Sequence, residues 1–213
     1  MDVSEYWRNR GPRYFEELQN QPKRLRSRLK DQEDHLVRLL QPFRFNSILE
    51  IGCGSGRYTK ILYNLYEPKV YTAIDISKEQ IENAKKYVFN DKINFQCAQI
   101  QNLSLEEKFD LVFASEVLMH IDSKDIDHVI KKLISFSTNK IISIDWFNEK
   151  NIGKKLGGYC YMHDYKTLFK KNGAKIVKIH MLPLSLSWKL LSVYTQLRGR
   201  DSVETQAIFE VDV

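Results

Sequence analysis

The residue types that could do chemistry gather at one glycine-rich segment, Glu50-Ile51-Gly52-Cys53-Gly54-Ser55-Gly56. Glycine accepts positive φ and leaves no Cβ in the path of a close ligand. A helix that starts behind such a turn presents unpaired N–H groups to whatever sits there. The spacing is G-x-G-x-G, and the dinucleotide fingerprint would want its third glycine or alanine where Arg57 stands. Glu50, two positions before the first glycine, would repel a pyrophosphate and suits a cationic ligand. Asp75 closes the next apolar run about twenty residues on, where an acid can grip ribose hydroxyls. Together these describe a site for an adenosine ribose beside a positively charged, phosphate-free group. Taken singly, the turn is also a plain tight connection and Asp75 also a helix-capping acid.

These residues need a scaffold, and the hydrophobic pattern supplies one. After Phe45, short apolar runs alternate with amphipathic runs, which argues for βαβ units around a mostly parallel sheet. Strands are expected at 46–51, 70–74, 93–98, 109–114 and 140–144, with two more at 174–179 and 205–211 pairing as an antiparallel C-terminal edge hairpin. Helices are expected at 57–66, from Ser77 to about Phe89, at 123–136 and at 164–171. Ser77 and Gln80 have capping-box spacing. The expectation is a Rossmann-like three-layer α/β sandwich with a seven-stranded sheet, in a single domain over 1–213. Residues 1–41 form a helical lid, 42–213 form the core, and 182–200 is a Leu/Trp-rich insertion.

The motifs resemble those of class I S-adenosylmethionine-dependent methyltransferases. ILEIGCGSGRYT looks like their first motif, YTAIDIS like the second and FDLVFASEVLMHI like the fourth. The likeness implies S-adenosylmethionine as cofactor, with S-adenosylhomocysteine as product. It places Glu50, Gly52 and Gly54 around the methionine end, with Cys53, Gly56 and Tyr58 beside them. It assigns Asp75 to the ribose hydroxyls and Ile76 to the adenine, and brings Ser115 and Glu116 to the sulfonium side. One departure is Gln99, where the family usually has an aspartate near the adenine amine. A glutamine carbonyl can still accept from that amine, and the Ile100 N–H could serve the ring nitrogen.

Residues 6–15 are dense in aromatic and basic side chains and resemble the lid helix of many small-molecule and glycan methyltransferases. Tyr6 and Tyr14 would cover the cofactor and Arg10 would pair with its carboxylate; the alternative is an amphipathic helix that simply packs. The sulfonium already activates the methyl group, so the protein must mainly align the nucleophile and exclude water. A base helps when the acceptor is a hydroxyl or a protonated amine. Candidates are His120 past the fourth strand, His163 in YCYMHDY, and Asp145 past the fifth strand.

Composition leaves competing classes open. The net charge is +6, with basic groups at Lys23, Arg24, Arg26, Arg28 and Lys30 and at Lys189, Arg198 and Arg200. That admits an RNA or protein methyltransferase, yet nearby acids break the first group and no RNA-binding module is visible. The preferred acceptor is a small molecule or a glycan-like metabolite. A non-catalytic S-adenosylmethionine-binding protein stays open, and a nicotinamide oxidoreductase is disfavoured by Glu50 and Arg57. No spacing of the three cysteines suggests a metal. With no apolar core in the first eighteen residues and no stretch long enough to span a bilayer, the expected location is the cytoplasm. The 182–200 segment could wall the acceptor pocket, form a homodimer contact or face a membrane.

Overall fold

A computed structural model describes residues 5–11, 13, 20, 23–156, 159–182 and 205–213, without the side chains of 23–28 and 205. Tyr14, most of the Leu/Trp-rich insertion, the basic residues Lys189, Arg198 and Arg200, and the side chains of Lys23, Arg24, Arg26 and Arg28 lie outside that description.

The sheet has seven strands: β1 (Ser47–Ile51), β2 (Val70–Asp75), β3 (Ile93–Cys97), β4 (Phe109–Ser115), β5 (Ser137–Phe147), β6 (Ile176–Met181) and β7 (Thr205–Asp212), in the order β3-β2-β1-β4-β5-β7-β6. Pairing is parallel from β3 through β5. β7 runs antiparallel to both β5 and β6, so the expected C-terminal antiparallel pair forms the edge with β7 wedged inside it. The helices are α1 (Lys23–Leu40), α2 (Arg57–Tyr66), α3 (Lys78–Val88), α4 (Ile126–Phe136) and α5 (Tyr165–Lys171), and residues 5–11 are also helical. No helix among the described residues is long and apolar enough to cross a membrane.

Strand parity builds the three layers. Leu49, Ile51, Val112 and Ile141 face α4 and α5, with Val129, Ile130, Leu133 and Phe169 against them. Ile48, Tyr71, Leu111, Phe113 and Ile142 face the other way, against Leu36 and Leu40 of α1 and Leu62 of α2. Glu50 shares the parity of Ile48 and is therefore carried into the α1–α2 layer. The strand order reverses at β1 and β4, and that reversal opens a crevice at their carboxyl ends.

Three local details depart from the sequence expectation. β5 spans Ser137–Phe147 instead of 140–144, because β4 and β7 pair along nearly all of it. α4 begins at Ile126, as Asp122 accepts the Lys124 N–H and holds the preceding residues in a turn. The capping box forms by half. Ser77 Oγ accepts the Gln80 N–H, but the Ser77 N–H is taken by Asp75 Oδ1 at 2.8 Å.

Lys140 is buried in β5 and donates to Glu210 at 2.9 Å and to Asp212, both on β7. Glu210 also meets Lys178 at 3.3 Å and His180 at 3.0 Å. Removing one partner of a buried pair strands the other charge. Lys140→Met, which replaces the ammonium lying 4.4 Å from the centroid of the Phe43 ring by an apolar group, is expected to cost about 2 kcal/mol in urea unfolding. A change below about 0.5 kcal/mol would mean Lys178 and His180 compensate in full.

Candidate functional site

The crevice holds a cavity of about 780 Å³, within the usual range for a cofactor or small-molecule site. Its floor is the β1–α2 turn. Gly52, Gly54 and Gly56 all have positive φ, at 69°, 53° and 89°. Gly52 has no room for a Cβ, which would meet Val117 Cγ2 at 2.3 Å. At Gly54 a Cβ would meet nothing within 4 Å, so that position opens onto the cavity. Gly56 is not in the cavity wall. It serves helix packing instead, since its Cβ would meet Ala84 and Val88 of α3.

Asp75, at the end of β2, ties the turn together. Its Oδ2 accepts the Gly54 N–H at 2.9 Å and its Oδ1 the Ser77 N–H at 2.8 Å. A carboxylate has about four lone-pair sites, so both oxygens retain capacity toward the cavity that Asp75 lines. Glu50 is buried, and its Oε2 takes both Thr59 Oγ1 at 2.6 Å and Tyr71 OH at 2.8 Å. Burial pushes its pKa up to about 7 despite those two donors. A buried carboxyl poised near neutrality in a cavity wall is suited to meeting a cation.

Gln99, Ile100 and Ile76 line one end of the cavity. Ser115, Glu116 and His120 line the other, with Tyr58 and Cys53 between. Glu116 sits at φ 56°, rare for a residue with a side chain. Its N–H donates to Ile144 O at 2.6 Å, and its Oε1 accepts from Gln206 Nε2 at 2.6 Å. Gln206 in turn accepts from Gln32 of α1 at 3.2 Å, and Gln32 accepts from Arg57 at 3.3 Å. Thus α1 and β7 both lean on the cavity wall through buried amides.

Of the three candidate catalytic groups, the structure brings one to the cavity. His120 Nδ1 lies 2.9 Å from the Tyr159 carbonyl, a partner that can only accept. Nδ1 therefore carries the proton and, in the neutral ring, Nε2 keeps its lone pair. Burial lowers the His120 pKa, so the ring is neutral at neutral pH. Asp145 and His163, also expected as candidates, do not line the cavity. Asp145 is fully buried and accepts from Met119 N at 3.1 Å and Ser143 Oγ at 2.8 Å. His163 Nε2 meets Ile121 O at 2.9 Å. Both fasten, from behind, the loop that carries His120.

The N-terminal helix supplies Trp7 to the cavity wall, not Tyr6 or Arg10. Trp7 meets the His120 ring edge-on at 4.7 Å. Tyr6 packs on Tyr159 at 4.4 Å, and Arg10 hydrogen-bonds Tyr6 and covers the Tyr6 and Trp7 rings. Gly11 lets this helix touch α3, for a Cβ there would lie 2.1 Å from Ser77 Oγ. The outer wall was not foreseen from sequence: Asp122, Lys124, His128, Lys155 and Tyr161. Asp122 and Lys124 precede α4, His128 is on its first turn, and Lys155 and Tyr161 lie between β5 and α5; Tyr161 OH donates to Asp122 at 2.8 Å. No group of three or more His, Cys, Asp or Glu side chains among the described residues is placed to hold a metal.

A methyltransferase-domain family profile matches residues 48–138. The malonyl-[acyl-carrier protein] O-methyltransferase of Priestia megaterium is 36% identical over 107 residues, which are 49% of this chain and 38% of that protein. A second such enzyme, from Anoxybacillus flavithermus, is 41% identical over 69 residues, 32% of this chain and 27% of that one. The match thus spans well under half the length of these relatives. Among solved structures, magnesium protoporphyrin IX methyltransferase from Synechocystis PCC 6803 with bound S-adenosylhomocysteine superposes with a TM-score of 0.74 at 18% identity, covering 99% of both chains. The N-methyltransferase NodS from Bradyrhizobium japonicum WM9, also with S-adenosylhomocysteine, gives 0.68 at 18% identity over 86% of both. Residues 48–138 thus carry a methyltransferase-domain match around the glycine turn and its flanking acids, and the chain shares its seven-stranded fold with solved methyltransferases that hold S-adenosylhomocysteine.

Proposed function

We propose that this chain transfers a methyl group from S-adenosylmethionine to a small-molecule acceptor, with His120 as the general base. The observation that carries the reading is one cavity that joins Glu50 and Asp75, on either side of a glycine turn, to the neutral imidazole of His120. The residues fit the cofactor. Gly54 opens onto space a Cβ would fill, Glu50 meets an ammonium group, and Asp75 takes ribose hydroxyls. A bound S-adenosylmethionine supplies a methyl group that its sulfonium has already activated.

The chain's own residues do the rest. Glu116 stands at the sulfonium end of the wall, with Ser115 beside it. Trp7 and Tyr159 exclude water from the acceptor space and hold a nucleophile in line. His120 Nε2 takes the proton that a hydroxyl or ammonium acceptor must lose. The relatives named for malonyl-[acyl-carrier protein] put an acyl carboxyl among the acceptors to try, beside phenols, amines and glycan-like metabolites.

Calorimetric titration with S-adenosylhomocysteine and, separately, NADH tests the cofactor. The expected result is micromolar binding of the first alone, weakened about tenfold or more in Asp75→Ala. That variant loses a ribose acceptor and the tie between Gly54 and Ser77. NADH binding, or none, would overturn the reading. An acceptor screen in which no compound turns over while S-adenosylhomocysteine binds would instead favour a non-catalytic binding role.

A further inference from the structure

Two lysines on the outer wall of the cavity carry ammonium groups that the fold does not use. Lys124 precedes α4 and Lys155 lies between β5 and α5; both line the cavity and both are exposed. Among the described residues neither ammonium group forms a hydrogen bond or an ion pair. The neighbouring Lys154 shows the contrast, for its Nζ donates to Asn151 Oδ1 at 3.0 Å.

The backbone brings the two lysines together and ties them to His120. Residues 153–156 and 159–162 run antiparallel, with the Gly153 N–H on Met162 O at 2.8 Å, the Leu156 N–H on Cys160 O at 2.7 Å and Lys155 bridged opposite Tyr161. Lys155 Nζ lies 5.2 Å from the centre of the Tyr161 ring, a contact that steadies the side chain and leaves N–H donors for another acceptor. Tyr161 OH donates to Asp122 Oδ2 at 2.8 Å, and Asp122 Oδ1 accepts the Lys124 N–H at 3.0 Å. The Asp122 pKa is lowered first by the Lys124 N–H, then by Tyr161 OH, with smaller contributions from the charges of Lys124 and Lys155. Both ammonium groups therefore stand near Asp122 without pairing to it. The same segment is fastened to the His120 loop twice, by the Tyr161 N–H on Met119 O at 2.7 Å and by His120 Nδ1 on Tyr159 O at 2.9 Å.

Charge balance selects the ligand. Asp122 and Asp125 offset Lys124 and Lys155 on this wall, so it has no net field to draw in a polyanion. Two ammonium groups with open donors still fit one compact anion at close range. Beside His120 the wall is aromatic, with Trp7 and Tyr159 both packed against Tyr6, which suits a flat apolar body. We infer that the acceptor is a flat small molecule carrying an ionised carboxylate or phosphate, with that anion held by Lys124 and Lys155 and the atom to be methylated at His120. This rests on the methyltransferase reading above.

The test titrates S-adenosylhomocysteine-saturated protein with matched pairs: 4-hydroxybenzoate against its methyl ester, and 4-hydroxyphenyl phosphate against hydroquinone. At least one anionic member should bind about tenfold or more tightly than its neutral partner, and which of them does so separates a carboxylate from a phosphate ligand. The double variant Lys124→Met with Lys155→Met should lose that preference, while its affinities for the neutral partner and for S-adenosylhomocysteine stay within about twofold of wild type. The double arginine variant, which keeps both charges, should retain the preference. No preference in wild type, anionic members that fail to bind at millimolar concentration, or a preference that survives the methionine variant would overturn the assignment while S-adenosylhomocysteine binding leaves the cofactor reading intact. Weakened S-adenosylhomocysteine binding in the methionine variant would overturn it too, since the lysines would then act on the cofactor. A wild type that binds no S-adenosylhomocysteine would overturn both.

Discussion

Replacing His120 with asparagine is expected to lower kcat by about 10²- to 10³-fold while leaving the affinity for S-adenosylhomocysteine within about threefold. Asparagine places an N–H donor close to the position of Nδ1, so the tie to the Tyr159 carbonyl (2.9 Å in the native protein) can persist. What disappears is the Nε2 lone pair. The pH profile gives an independent check. Burial lowers the His120 pKa, so the acid limb of kcat/KM should fall below the ordinary histidine value of about 6.5, and Asn should abolish that limb. Single-turnover rates with a saturating acceptor are the right measurement. If the variant keeps full turnover on an acceptor that must lose a proton, the methyl transfer runs on alignment alone and His120 is only wall.

The matching His163 variant separates chemistry from support. His163 Nε2 meets the Ile121 carbonyl and lines no part of the cavity. Its loss should therefore act through stability and the placement of His120, not through a change in the pH limb. Asp145 belongs to the same support. It stands on the face of β5 that carries Ile141 and Phe147, toward α4 and α5, where burial pushes its pKa up to about 7.

Most of the cavity floor was legible in the sequence. Turn, acid and strand are close in sequence there, so spacing alone brings Glu50, Gly54 and Asp75 together. The outer cavity wall was not, because its residues converge from α4, the turn before it and the segment after β5. Asp122 and Tyr161 are 39 positions apart and meet through one hydrogen bond. A carboxylate at a strand's end reads as ligand-facing by position, yet parity turned Asp145 to the wrong side. The lid misled differently. Its aromatics and arginine were recognised as a group, but only the helix's docking angle, set by Gly11 on Ser77, selects Trp7 over Tyr6 and Arg10. Gln80 was read as a capping-box partner. Competition from Asp75 for the Ser77 N–H leaves its carbonyl buried and unpaired instead.

Glu50→Gln is expected to weaken S-adenosylhomocysteine binding on the order of 100-fold and, at the same time, to stabilise the unliganded protein. Both effects come from one buried carboxyl. In the folded chain Glu50 has its pKa pushed to about 7 from an ordinary 4.5. Between those values the native state holds a proton that the unfolded chain has lost, so stability falls as pH rises through the window. At pH above 7 that cost reaches at most on the order of 3 kcal/mol. Glutamine removes it and still accepts from Thr59 and Tyr71. Asp145, also near 7, leaves a smaller slope of the same sign in the variant. The ammonium group of the ligand reverses the balance by favouring the ionised form. Wild-type affinity should therefore tighten from pH 6 to pH 8, and binding below pH 7 should release a proton. That release appears as a calorimetric enthalpy that varies with the buffer's ionisation enthalpy. An affinity flat with pH, or a variant that binds as well as wild type, would remove Glu50 from ligand contact and leave it a buried acid held by Thr59 and Tyr71. A variant that binds weakly and melts higher would show that the carboxyl is kept ionisable for the ligand at the expense of the empty fold.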